Sequence, residues 1–110
     1  MKKEKKWKPL RINRMLNKRE YCNIDYAIAV LILPLLEGFR KANKGYPSYV
    51  GSLEKWNKII DKMIFSFREI AEEYKNKPNT FSEEEAYKKY SKKINRGLKL
   101  FGKHYNNLWI

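Results

Sequence analysis

A chain of 110 residues with a formal net charge of +13, 15% aromatic side chains and one cysteine is bounded by its totals. So much bulky apolar surface excludes a wholly disordered chain, and the length allows one small core. Cys22 alone excludes an internal disulfide and a cysteine-based metal site, and no run approaches the roughly 20 apolar residues that cross a bilayer. The basic start Met1-Lys2-Lys3 is not followed by a signal-type apolar core, so a cytoplasmic protein without a membrane partner is expected.

The charge is unevenly placed. Residues 1–20 hold nine Lys/Arg against Glu4 and Glu20, and residues 75–110 hold nine against Glu83, Glu84 and Glu85. Between them, seven basic and seven acidic residues cancel over 21–74. Two domain-level parts follow: a basic N-terminal arm over 1–20 and a helical domain over 21–110. In the arm, Trp7, Leu10, Ile12, Met15 and Leu16 lie among the cations and Pro9 interrupts any regular element, so its apolar residues are expected to dock on the body or on a second subunit.

The first helix is predicted from about Ile24 to Lys41, with Asn23 or Asp25 at its start. Ala27, Ile28, Leu31, Ile32, Leu35 and Phe39 form one stripe, while Val30, Leu33 and Leu36 fill other sides. A helix apolar nearly all round is covered on more than one face, which in so short a chain points to a homo-oligomer. Pro34 removes an amide inside it and predicts a kink, and Gly45-Tyr46-Pro47 ends the connection. A second helix follows a Ser52 cap, with Leu53, Trp56, Ile60, Met63, Phe67, Ile70 and Tyr74 as its seam. A third starts at Ser82-Glu83-Glu84-Glu85, a capping box, and buries Tyr87, Tyr90, Ile94, Leu98, Phe101, Tyr105 and Leu108. Gly97 and Gly102 each cost about 1 kcal/mol against Ala in that helix, and close approach of another backbone is their expected return. The fold class is all-α: a small three-helix, bundle-like domain with a basic arm.

Lys89, Lys92, Arg96, Lys99 and Lys103 recur at spacings of three and four, which puts five cations in one column of the third helix. No acid occurs from Ala86 to the C-terminus, whereas a purely solvated face mixes signs. Arg11 and Arg14, with Lys18 and Arg19, add planar guanidinium forks suited to phosphate, and Trp7, Tyr21 and Tyr26 are possible stacking partners for a base. Lys outnumbers Arg nineteen to six, so a Lys-coated surface serving solubility alone is the plain alternative. His104 is the single histidine, Asp25 and Asp61 show no partner in sequence, and neither a Gly-rich phosphate loop nor paired metal ligands occur. Neither an enzyme nor a cofactor is expected.

Four stretches carry a resemblance: Asn23 to Phe39, Gly45-Tyr46-Pro47, Trp56 to Phe67, and Gly97 to Trp109. Together they resemble a group of small tailed-bacteriophage proteins whose characteristic positions fall on Asp25, Pro34, Tyr46-Pro47, Trp56, Met63 and Leu108-Trp109. The resemblance covers most of 21–109, leaves out the arm, and implies a phage setting without a transferable activity. In that setting the expected function is a non-enzymatic accessory protein of counter-defence, binding a nucleotide-type anion such as a cyclic-nucleotide immune signal. The alternatives are a nucleic-acid-binding protein, and an inhibitor that docks on an acidic protein through Trp109 and the arm.

Overall fold

The computed structural model describes residues 23–110, so the arm, with Trp7, Arg11 and Arg14, and the neighbouring Tyr21 and Cys22 lie outside the described residues. The described chain holds three α-helices: α1 (Ile24–Ala42), α2 (Leu53–Ala71) and α3 (Glu84–Lys103). Short 3-10 turns at Ser48–Val50 and Tyr105–Asn107 precede α2 and follow α3, and the described residues include no strand. No helix among them is long and apolar enough to cross a membrane.

The middle helix organises the rest. Among the described residues, six of the nine buried apolar side chains come from α2: Trp56, Ile60, Met63, Ile64, Phe67 and Ile70. Ala29 and Leu36 of α1 and Ile94 of α3 complete the buried set. Spacings of three and four hold the α2 residues on one side of the helix, as its seam predicts. Phe67 meets Phe101 of α3 edge to face, with ring centroids 4.9 Å apart. Both outer helices pack on α2 and scarcely on each other.

The two junctions differ in chemistry. Toward α1, Arg40 Nε lies 2.8 Å from Asp61 Oδ1 and its second amino group 3.4 Å from Oδ2, while Arg68 pairs with Glu37. Asp61, without a partner in sequence, thus finds one across the helices. Toward α3, the wholly buried Ser66 hydroxyl donates to the Ile94 carbonyl at 2.6 Å. Gly97 faces it, and a Cβ there would collide with Ser66 Oγ and the Lys62 carbonyl oxygen. The close approach predicted for Gly97 is therefore present. Gly102 has nothing among the described residues within 4 Å of its Cβ position, because it lies on the exposed side of α3, about 140° round the helix from Gly97.

Ends of the helices show where local signals compete. Ser52 Oγ accepts the Lys55 amide at 3.1 Å, the predicted cap. Ser82 does not cap α3. Asn79 Oδ1 instead accepts the amides of Phe81 and Ser82 at 2.7 and 3.0 Å, and Glu83 returns a carboxylate to the Asn79 amide at 3.1 Å. These bonds close the turn before α3, where an Asn side chain reaches nearby amides, while Glu83 at the helix start makes no side-chain cap bond. The second helix stops at Ala71, short of Tyr74, as Glu73 and Tyr74 adopt left-handed φ values of 57° and 58°. The Tyr74 amide donates back to the Glu69 carbonyl at 2.6 Å. The buried Glu69 carboxylate accepts from Asn76 and from the Tyr90 hydroxyl, tying this turn to α3. Burial and that carboxylate push the Tyr90 hydroxyl well above its ordinary pKa. Leu98 of α3 is exposed, because the helix turns Gly97 and Phe101 toward α2, and Tyr105 is exposed in the 3-10 turn that follows.

The crossing predicts opposite effects of one substitution at the two glycines. Gly97→Ala gains about 1 kcal/mol of helix propensity but forces the helices apart, for a net loss of about 2 kcal/mol. Gly102→Ala fills open space and raises stability by up to about 1 kcal/mol. Urea unfolding of both variants measures the difference.

Candidate functional site

Close approach at Gly97 brings two sets of cations to one groove. From α2 come Lys55, Lys58 and Lys62, spaced three and four and therefore on one face. From α3 come Arg96 and Lys103, two helical turns apart. The groove has a volume of about 430 Å³, and Val50, Ile59 and Leu100 supply its apolar wall. Among the described residues no Asp or Glu lines it. Lys58 has Glu54 3.9 Å away within α2, a distance at which an exposed pair contributes little. Five cations held round one apolar wall present an uncompensated positive field, and an anion is the chemical complement.

One end of the groove is built more rigidly. The His104 ring is buried, stacks on Tyr49 with centroids 5.8 Å apart, and meets the Trp56 ring edge-on at 5.4 Å. Tyr49 Oη lies 2.8 Å from His104 Nδ1 and 2.8 Å from Asn107 Oδ1. A hydroxyl has one hydrogen, so when Tyr49 donates to Asn107 its oxygen accepts from Nδ1–H. Burial, and then the Lys103 charge beside it, lower the His104 pKa below its ordinary 6.5. The imidazole is thus a neutral strut between the 3-10 turns and Trp56. Tyr49 is 62% exposed overall and presents an aromatic surface at the groove rim.

The column expected on α3 divides. Arg96 and Lys103 line the groove, while Lys89, Lys92 and Lys99 are exposed outside its lining. Tyr26 lies in the first turn of α1 and takes no part in the groove. Arg11, Arg14, Trp7 and Tyr21 fall outside the described residues. Sequence reasoning missed Lys55, Lys58 and Lys62, because the net charge of 21–74 is zero. The available signal was their spacing on α2. Their local acid Asp61 is taken up by Arg40 on the other side of that helix.

Other arrangements offer less. Among the described residues no group of three His, Cys, Asp or Glu side chains is placed to hold a metal ion. A second groove of about 480 Å³ is walled by Tyr74, Tyr87, Tyr90 and Leu98, with Asp25 and Lys77 at its margin. Its mixed charge favours no single class of ligand. Trp109 is exposed, and its indole donates to the Asn106 carbonyl at 3.0 Å. The chain matches no protein-family profile, no curated protein and no solved structure.

A buried neutral histidine makes stability depend on pH with a definite sign. The folded pKa lies below the unfolded value, so the unfolded chain binds the proton first as pH falls. Stability is level above about pH 7 and declines as pH drops through the ordinary 6.5 toward the depressed folded value. In His104→Gln the decline between about pH 7 and about pH 5.5 is lost, although the variant is less stable throughout. Urea midpoints across that range check it.

Proposed function

We propose that this protein binds a phosphate-bearing, nucleotide-type anion in the groove between α2 and α3, and that its role is binding and not catalysis. The observation that carries the reading is the convergence of Lys55, Lys58, Lys62, Arg96 and Lys103 on one apolar wall without a lining acid. Arg96 supplies a planar fork for two phosphate oxygens, and the lysines act as point charges round it. Tyr49 at the rim offers a face on which a base stacks, supported from behind by His104. The groove volume falls within the range that small-molecule sites occupy, about 300–1,000 Å³. In the tailed-phage setting implied by the resemblance, such a site suits sequestration of a cyclic-nucleotide immune signal inside the host cell.

A second reading rests on a separate observation. Lys89, Lys92 and Lys99 continue the positive strip outside the groove, and from Lys89 to Lys103 the column rises about 21 Å along α3. That length suits several phosphates of a nucleic-acid strand.

Titration calorimetry with cyclic dinucleotides and cyclic ADP-ribose isomers is the direct test of the first reading. Binding is expected to weaken at least 10-fold in Arg96→Ala or Lys62→Ala, the scale of a lost charge-assisted hydrogen bond, and to stay unchanged in Lys44→Ala. The absence of heat with every ligand removes the nucleotide reading. Duplex DNA binding whose logarithm falls by about 0.9 per contacted phosphate with log salt selects the second reading.

A further inference from the structure

We infer that the outer face of α1 is a self-association surface, covered by α1 of a second copy of this chain in antiparallel pairing. This goes beyond the anion-binding reading and uses none of its residues. Ile24, Ile28, Leu31, Leu35, Gly38 and Ala42 follow one another at spacings of four and three along the whole helix, and all six are exposed. At 100° per residue they form a narrow seam, roughly 130° round the helix from Ala29 and Leu36, which face α2. Leu35 is 68% exposed and Ile24 56%. No charged residue occurs between Asp25 and Glu37. A solvated face three turns long does not lack charge in this way.

Shape and charge select the occupant. On the seam, Ile24, Ile28, Leu31 and Leu35 are each at least 46% exposed, and with roughly 200 Å² for a full residue they present about 440 Å² of apolar surface. That is within the range of a monomer's largest patch, and doubled to about 900 Å² it corresponds to a small, reversible interface. The seam is also graded from large to small, from Ile24 and Ile28 at one end to Gly38 and Ala42 at the other. A Cβ at Gly38 would meet none of the described residues within 4 Å. Antiparallel pairing about a two-fold axis near Leu31 seats Ile24 opposite Gly38 and Ile28 opposite Leu35, filling that space. It also brings Asp25 toward the end that carries Arg40 and Lys41, and opposes the two helix dipoles. Parallel pairing would stack Ile24 on Ile24 and leave a gap between the glycines. Residues 1–22 are a poorer match in sequence, since their nine cations interrupt the apolar positions and no heptad of comparable length occurs.

Sedimentation equilibrium of the full chain at tens of micromolar tests the surface. The expected mass is twice the 13.3 kDa of one chain. Leu35→Glu and Leu31→Glu are each expected to raise the dimer dissociation constant at least 10-fold, with unchanged helical circular dichroism. In a Cys22→Ser background, Leu31→Cys should form a disulfide-linked dimer under mild oxidation and Ile24→Cys should not. A single-chain mass for the unsubstituted protein overturns the inference and leaves residues 1–22 as the occupant of the face. A dimer that both Glu variants preserve overturns it too, and self-linkage of Ile24→Cys without that of Leu31→Cys overturns the antiparallel pairing.

Discussion

The contact on which the rest depends is the one between Ser66 and Gly97. A hydroxyl on α2 donates to the Ile94 carbonyl, and the missing side chain at Gly97 lets the α3 backbone come down on it. Small residues at a helix crossing set the separation of the axes, and the separation fixes what meets on either side. On one side the approach brings Lys62 and Arg96 to one groove, together with Lys58 and Lys55 one and two turns along α2 and Lys103 two turns along α3. On the other it brings Tyr90 within hydrogen-bond distance of the buried Glu69. Charge that looks diffuse along the chain is concentrated by a single steric choice.

Around that contact the three helices divide the work. The core belongs mainly to α2, whose apolar side packs between its neighbours. Its polar sides are spent differently on each flank. Asp61 and Arg68 form ion pairs with Arg40 and Glu37 of α1, so that junction is neutral. Toward α3 the described residues lining the groove include no acid, and the groove is positive. Exposed pairs of the first kind contribute modestly to stability, roughly 0–1 kcal/mol each. Their larger effect is on charge: pairing Arg40 and Arg68 with acids leaves no net charge at the α1–α2 junction, in contrast to the α2–α3 groove.

Periodicity made the helices legible. The three-and-four spacing of Trp56, Ile60, Met63, Phe67 and Ile70 predicts the buried side of α2, and Ser52 its start. Gly97 is readable as a close approach because a helix-interior glycine is costly without one. What failed were decisions between neighbouring residues with similar chemistry. Asn79, and not Ser82, takes up two amides in the turn before α3, and Gly102 resembles Gly97 in sequence yet lies on the exposed side of the helix. The site was half legible. Arg96 and Lys103 are visible as a column, but Lys55, Lys58 and Lys62 vanish when charge is summed along the chain. Sign has to be counted by helix face, and the acid that cancels a lysine in a sum lies on another face in the fold. Tyr49 and His104, 55 residues apart, are brought together by tertiary packing alone.

The central claim is that close helix approach gathers cations with no acid to offset them, so that a multivalent anion stabilises the fold through this groove. The most direct measurement is the thermal midpoint of the full chain in sodium pyrophosphate against sodium chloride at matched ionic strength. The account predicts a higher midpoint in pyrophosphate, reduced to the chloride value in a Lys62→Met, Arg96→Met double variant. Equal midpoints in the two salts, or a pyrophosphate effect that the double variant retains in full, would contradict it.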